Sequence, residues 1–162
     1  MITRLQIAEV SDAAFIHEIM IQAFIEYKQT AAPSSALEES VSSVSDALKD
    51  GEQALIAFDD RDEAAGMVRF RLKETAVYFF RLSVVPEKRG CGIAKRLLKA
   101  LEDYAGQNNK YELICRVREK AAKNLNLYRS LGYSIFDREV VYKPNGVQIA
   151  VVFMRKRLER QV

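Results

Sequence analysis

Hydrophobic positions along the chain switch between a period of two and a period near 3.6, and the switches predict about seven strands and about four helices. Residues 2–8 alternate as a first strand. Phe15, Ile16, Ile19, Met20, Ala23, Phe24 and Tyr27 then recur every three or four positions, an apolar helical stripe preceded by the cap Ser11-Asp12. Pro33, within the polar and small residues 30–35, breaks that helix. Ser35 and Glu38 read as a capping box for a second helix running to about residue 49, with a thin stripe of Leu37, Val41, Val44 and Leu48. Such light anchorage suits a substrate lid or a plain surface helix equally.

Strands follow at 54–58, 65–72 and 76–85, the first two joined by the turn Asp59-Asp60-Arg61-Asp62. The helix after Gly92 carries Ile93, Leu97, Leu98, Leu101, Tyr104 and Ala105 on its apolar face and ends near Gly106 and Asn108-Asn109. Because this helix joins the strand at 76–85 to one at 111–117, those two strands are expected to lie parallel, as a right-handed crossover. A helix at 120–131 stops at Gly132, which suits a left-handed cap. Strands 133–142 and 147–154, around Asn145-Gly146, close the chain as a hairpin. No repeat or linker divides the sequence, so one domain over 1–162 is expected.

Composition narrows the function classes. A chain of 162 residues with 49% hydrophobic content can bury one substantial core and is too short for two ordinary domains. Twenty-five Lys plus Arg against 22 Asp plus Glu leave a formal charge of +3, too mild to argue for nucleic acid. The basic run Arg155-Lys156-Arg157 reads as a solvated end. No apolar run approaches a membrane span and no secretion pattern opens the chain, so a cytoplasmic protein without a membrane partner is expected. Cys91, Cys115 and the single histidine, His17, make neither a disulfide scaffold nor a zinc site, and no metal is expected. His17 flanks the first apolar stripe and reads as a surface residue. Cys91 has no histidine base nearby in sequence to activate it.

Residues 82–99 carry the most specific chemistry. An apolar strand ends in Leu82-Ser83-Val84-Val85-Pro86, the turn Glu87-Lys88-Arg89-Gly90-Cys91-Gly92 follows, and a helix begins at Ile93. Two glycines permit close backbone approach to a ligand, the first helical turn offers unpaired N–H groups, and Lys88, Arg89, Lys95 and Arg96 add positive charge. Together these make an anion cradle suited to phosphate. No Gly-Lys-Ser/Thr follows for a P-loop, and the third glycine of a dinucleotide fingerprint is missing.

The run Arg89, Gly90-Cys91, Gly92, Ile93, Ala94 resembles the acetyl-CoA loop of the GNAT (general-control-related N-acetyltransferase) superfamily, and the order of elements is similar to that fold over essentially the whole chain. The resemblance implies an α/β (α+β) single domain: a mixed, mostly antiparallel sheet with a splayed parallel pair at its centre. It implies that the strands holding Val84 and Cys115 part, often at a bulge, to admit the pantetheine arm. Leu82, Ser83 and Val84 would line that arm, and Arg89, Gly90, Cys91, Gly92, Ile93, Ala94 and Lys95 would hold the pyrophosphate. Acetyl-CoA is thereby the implied cosubstrate.

Tyr128, in Leu127-Tyr128-Arg129-Ser130-Leu131-Gly132-Tyr133, matches the family tyrosine near the CoA sulfur, with general acid as its implied role; the alternative is a core residue packed with Leu127 and Leu131. Many relatives carry an asparagine where this chain has Ala121; Asn124, one turn later, is the candidate replacement. The backbone N–H of Val84 is the candidate to polarise the thioester carbonyl. Several relatives carry an acidic residue where this chain has Tyr78, so the base is left to Tyr78, a water chain, or Glu26, Glu38 or Glu74. Glu26, Tyr27 and Tyr78 are the candidate acceptor contacts, and Glu26, Glu38 and Glu39 would attract a cationic molecule. The expected activity is direct acetyl transfer to a primary amine of a small molecule or peptide, in a ternary complex, with monomer and homodimer both left open. A non-catalytic CoA-binding module is the alternative, and a nucleic-acid module fits less well.

Overall fold

The computed structural model describes residues 1–25 and 34–159. Within them lie strands β1 (Ile2–Ile7), β2 (Gln53–Asp59), β3 (Ala64–Leu72), β4 (Val77–Val84), β5 (Glu112–Arg118), β6 (Ser134–Tyr142) and β7 (Gln148–Arg157). The helices are α1 (Ala13–Phe24), α2 (Val41–Lys49), α3 (Ile93–Gln107) and α4 (Ala122–Ser130). All seven strands join one sheet in the order β1-β2-β3-β4-β5-β7-β6. Only β4 and β5 pair in parallel, as the crossover through α3 requires.

The period-two pattern distributes side chains to two cores. Phe70, Val77, Phe79, Leu113, Cys115 and Val117 face α3 and α4, where they meet Leu97, Leu101, Leu125 and Tyr128. Ile56, Phe58 and Met67 face the other way, against Ile16, Ile19 and Met20 of α1 and Val44 of α2. Phe15, expected in that stripe, is 47% exposed. It keeps an edge-to-face contact with Phe58 of β2, with ring centroids 6.3 Å apart.

Two other expectations need correction. Ser35 and Glu38 do not cap a helix. Residues Ser35–Glu38 form a 3-10 turn, with the Ser34 hydroxyl accepting from the Ala36 N–H at 3.2 Å. The box that starts α2 is Ser40 with Ser43, each hydroxyl accepting the other's backbone N–H. A serine substitutes for the expected glutamate, and the delayed start leaves Glu39 in extended backbone. The basic run Arg155-Lys156-Arg157 is not a solvated end either: it pairs with Ile114, Leu113 and Glu112 of β5.

Gly66 on β3 sets how closely α3 approaches the sheet. A Cβ there would lie 3.0 Å from Ile93 Cγ2 and 3.0 Å from the Ser83 carbonyl oxygen. The second of these is backbone and cannot rotate aside. Gly66→Ala is therefore expected to destabilise the fold by about 1–3 kcal/mol, the usual cost of overpacking, as read by the shift in urea midpoint.

Candidate active site

Arg81, at φ 54°, is the origin of the site. Met67 pairs with Ser83 and Arg69 with Phe80, so Arg81 and Leu82 both stand opposite Val68 as a β-bulge. The extra residue advances the strand by one position, and Leu82 and Val84 join the face already occupied by Val77 and Phe79. Beyond the bulge the sheet opens. The β4–β5 register holds only at Val77/Leu113 and Tyr78/Ile114. The Val85 N–H donates to the Ala65 carbonyl at 2.9 Å. That makes Gly66/Val84 a non-hydrogen-bonded pair, so the N–H and C=O of Val84 face the opening toward β5.

A cavity of about 500 Å³ occupies the opening. Its lining draws on both faces of the sheet: Leu82, Val117, Asn124 and Tyr128 from the α4 side, Tyr78 and Phe80 from the other. The split is thus a passage through the sheet. Tyr128 packs against Phe79 and Tyr133, with ring centroids 5.8 and 5.7 Å away. Its hydroxyl has no hydrogen-bond partner among the described residues. Burial, with Cys115 close by, raises its pKa above the ordinary 10.0, so the phenol keeps its proton. Burial likewise pushes the Cys115 thiol up to about 12, which leaves it an unreactive wall. Both Ala121 and Asn124 line the cavity, as the one-turn offset between them allows.

The glycine turn follows directly on the opened end of β4. Gly90 and Gly92 have φ of 83° and 77°, a backbone region costly for any other residue, and nothing lies within 4 Å of a Cβ placed at either. The turn leads into α3, whose first N–H groups are unpaired within the helix. Of the four expected cations, only Lys95 is exposed without a partner among the described residues. Lys88 is held by Asp59 and by Glu63 at 3.2 Å. Arg89 donates to the Ala23 carbonyl at 3.0 Å and Arg96 to the Ile2 carbonyl at 2.8 Å. The cradle is therefore mainly backbone, and its cations brace it from outside.

The brace carries a pH signature. The Lys88 ammonium, with the backbone N–H groups of Glu63 and Arg61, lowers the Asp59 pKa from 3.8 to about 2. A carboxylate lowered on folding stabilises fully above its unfolded value and loses that contribution as pH falls through the folded one. The urea midpoint of the parent protein should fall more steeply from pH 4 to pH 2 than that of Asp59→Asn. Parallel curves would show that the ion pair does not stabilise the loop.

The acceptor side differs most from expectation. Glu26 and Tyr27 lie outside the described residues. Tyr78 lines the cavity, but burial raises its pKa, so it is poorly suited to act as a base. Glu39 is not available to attract a cation: it accepts from Arg69 at 2.8 Å and from Arg81 at 3.3 Å. His17 serves the same segment, its Nε2 lying 3.0 Å from the Glu39 carbonyl oxygen. Sequence reading missed the basic character of this side. Arg69, Arg71 and Lys73 alternate along β3 and just beyond it, as do Arg116 and Arg118 along β5; that period-two signal was present in the sequence.

The donor set fits the group implied by the glycine turn. An opened strand pair offers unpaired backbone amide groups to an amide-bearing arm, and the open space around Gly90 and Gly92 admits a diphosphate at the start of α3. Comparison with known proteins agrees. The chain is 30% identical over 92 residues to the N-terminal acetyltransferase B complex catalytic subunit naa20 of Schizosaccharomyces pombe, a match spanning 56% of this chain and 51% of that protein. The chain thus spans about half the length of that relative. It is 29% identical over 132 residues to the uncharacterized N-acetyltransferase YhfO of Bacillus subtilis, covering 78% of this chain and 86% of the other. A Salmonella typhimurium protein solved with its cofactor acetyl-CoA has the same fold, at a TM-score of 0.76 and 20% identity, covering 98% of this chain and 95% of that one. Residues 13–133 match the Acetyltransferase (GNAT) family, and the chain belongs to that family.

Proposed function

We propose that the protein moves an acetyl group from acetyl-CoA to a primary amine, by direct attack while both are bound. The observation that carries this reading is the opened β4–β5 pair, with the glycine turn following the opened strand in the chain. Acetyl-CoA supplies an activated acyl group: the C–N bond forms, the C–S bond breaks, and the CoA thiol is released. Leu82, Ser83, Val84, Asn124 and Tyr128 would hold the arm, and Arg89, Gly90, Cys91, Gly92, Ile93, Ala94 and Lys95 the diphosphate.

Each chain group then has a defined task. The Val84 N–H, turned into the opening, is a fixed dipole for an oxygen that gains negative charge. Tyr128 Oη keeps its proton and can give it to a departing sulfur, whose free thiol has a pKa of about 8.5 in ordinary cysteine. No carboxylate lines the cavity among the described residues, and no base role is assigned to Tyr78. The amine enters neutral instead. Cations around the cavity disfavour its ammonium form, which raises the fraction able to attack.

The test is thiol release from acetyl-CoA across a panel of primary amines, with acetyl-CoA binding measured separately by calorimetry. Amine-dependent release is the expected result. Binding without release on any amine would replace the enzyme reading by that of a CoA-binding module.

A further inference from the structure

Arg81 stands at φ 54°, a backbone region that glycine enters freely and an L side chain only at a cost. Glycine would serve a strand that needed only the bulge, so the arginine side chain calls for its own explanation. Its guanidinium reaches the segment before α2: Nη2 donates to Ser35 Oγ at 2.9 Å and Nε to Glu39 Oε2 at 3.3 Å. The two ends of that segment are not held alike. Glu39 also accepts from Arg69, and its carbonyl oxygen lies 3.0 Å from His17 Nε2, so its place does not depend on Arg81. Ser34 and Ser35 line the cavity, and among the described hydrogen bonds the one from Arg81 to Ser35 joins them to the sheet. The Arg81 backbone is fixed separately, because its carbonyl oxygen accepts from the buried Ser83 hydroxyl at 2.8 Å, a contact that any residue at 81 would keep.

We infer that Arg81 is a positioning residue with two separable parts: its backbone opens the sheet for the acyl donor, and its side chain fixes Ser34 and Ser35 as the wall against which the amine is placed. The inference rests on the acetyl-transfer reading above and gives its acceptor side a residue. Leu82, Asn124 and Tyr128 line the cavity from the α4 side, where the donor's arm would run. The guanidinium turns the other way, toward the segment that packs with α1 and α2 through the fully buried Ala36. A planar guanidinium with one hydrogen bond to each of two residues fixes direction as well as distance, which a flexible ammonium would not. Direction matters here, because an amine attacks only from a narrow range of positions. Bulge and wall share one residue, so the amine is presented at a fixed offset from the strand that carries the Val84 N–H.

The experiment measures kcat and KM for thiol release with glycinamide, phenethylamine and 1,4-diaminobutane, and acetyl-CoA affinity by calorimetry, in the parent, Arg81→Gly, Ser35→Ala and the double variant. Arg81→Gly keeps the bulge and loses the side chain, so acetyl-CoA affinity should stay within about threefold of the parent. KM for the amine that the parent uses best should rise by about 10- to 100-fold, with a small change in kcat. Ser35→Ala, which leaves β4 untouched, should raise the same KM by about 3- to 10-fold, and it decides the matter if the glycine variant folds poorly. The double variant should be no worse than Arg81→Gly alone, because the Ser35 contact is already absent there. A KM unchanged in both single variants, with only the melting temperature lowered, overturns the inference and leaves acetyl transfer standing. Weakened acetyl-CoA binding with an unchanged amine KM overturns it by assigning the guanidinium to the donor. Additive losses in the double variant overturn it too, since each residue would then act on the amine separately. Release from no amine by the parent, despite bound acetyl-CoA, overturns acetyl transfer and this inference with it.

Discussion

Tyr128→Phe is expected to lower kcat by about 10²- to 10⁴-fold, the range typical of a lost general acid, while the folded protein and its affinity for acetyl-CoA stay close to those of the parent. The asymmetry follows from how the ring and the hydroxyl are held. The ring is core, 7% exposed and packed edge-on against Phe79, so phenylalanine preserves what it contributes to stability. The hydroxyl has no partner to orphan among the described residues, so removing it should cost little except in the reaction. Single-turnover acetyl transfer measures the loss, and thermal unfolding checks the fold. Because burial raises the phenol pKa, the parent should show no decline in rate from Tyr128 ionisation below pH 10. A variant within threefold of the parent in kcat would reduce Tyr128 to a packing residue.

Arg69→Met is expected to be the most destabilising single change proposed, by about 3–5 kcal/mol, because it leaves a buried carboxylate without its partner. The Arg69 guanidinium donates to Glu52 Oε2 at 2.7 Å, and the two side chains are only 3% and 4% exposed. Its other nitrogen reaches Glu39, which in turn holds Arg81 at the bulge. A drop in melting temperature of about 6–20 °C corresponds to that cost at this chain length. Arg69→Met combined with Glu52→Leu should recover much of the loss, because replacing both members of a buried pair removes the orphaned charge. A drop worth less than about 1 kcal/mol in the single variant would show that the pair behaves like a surface ion pair. The effect would also reach the site, since Glu39 connects this buried pair to the residue that opens the sheet.

Much of the donor side was legible from local sequence, for a physical reason. A glycine at positive φ, a helix start, and an apolar strand before it are short-range requirements, satisfied within a few residues of each other. The parallel placement of β5 against β4 followed from the handedness of a single crossover. The capping box at Ser35 failed on the same kind of evidence, because the same N-terminal contacts are made five residues later by Ser40 and Ser43. Local rules identify the type of cap more reliably than its address.

The sequence by itself determined the order of elements, the two apolar faces, the glycine turn, and the presence of Tyr128 after it. Tertiary structure alone decided which charges remain for a ligand. Lys88 and Arg96 look like phosphate ligands in sequence, yet they are spent on Asp59 and on the Ile2 carbonyl, partners 29 and 94 residues away. Glu39 looks like a lure for cations and is spent on Arg69 and Arg81, 30 and 42 residues away. The bulge at Arg81 is likewise invisible locally, since an arginine adopts positive φ only when neighbouring strands force the register. Composition conserves charge, but only the fold says how it is paired. That pairing leaves a cavity lined by basic residues and by no carboxylate among the described residues.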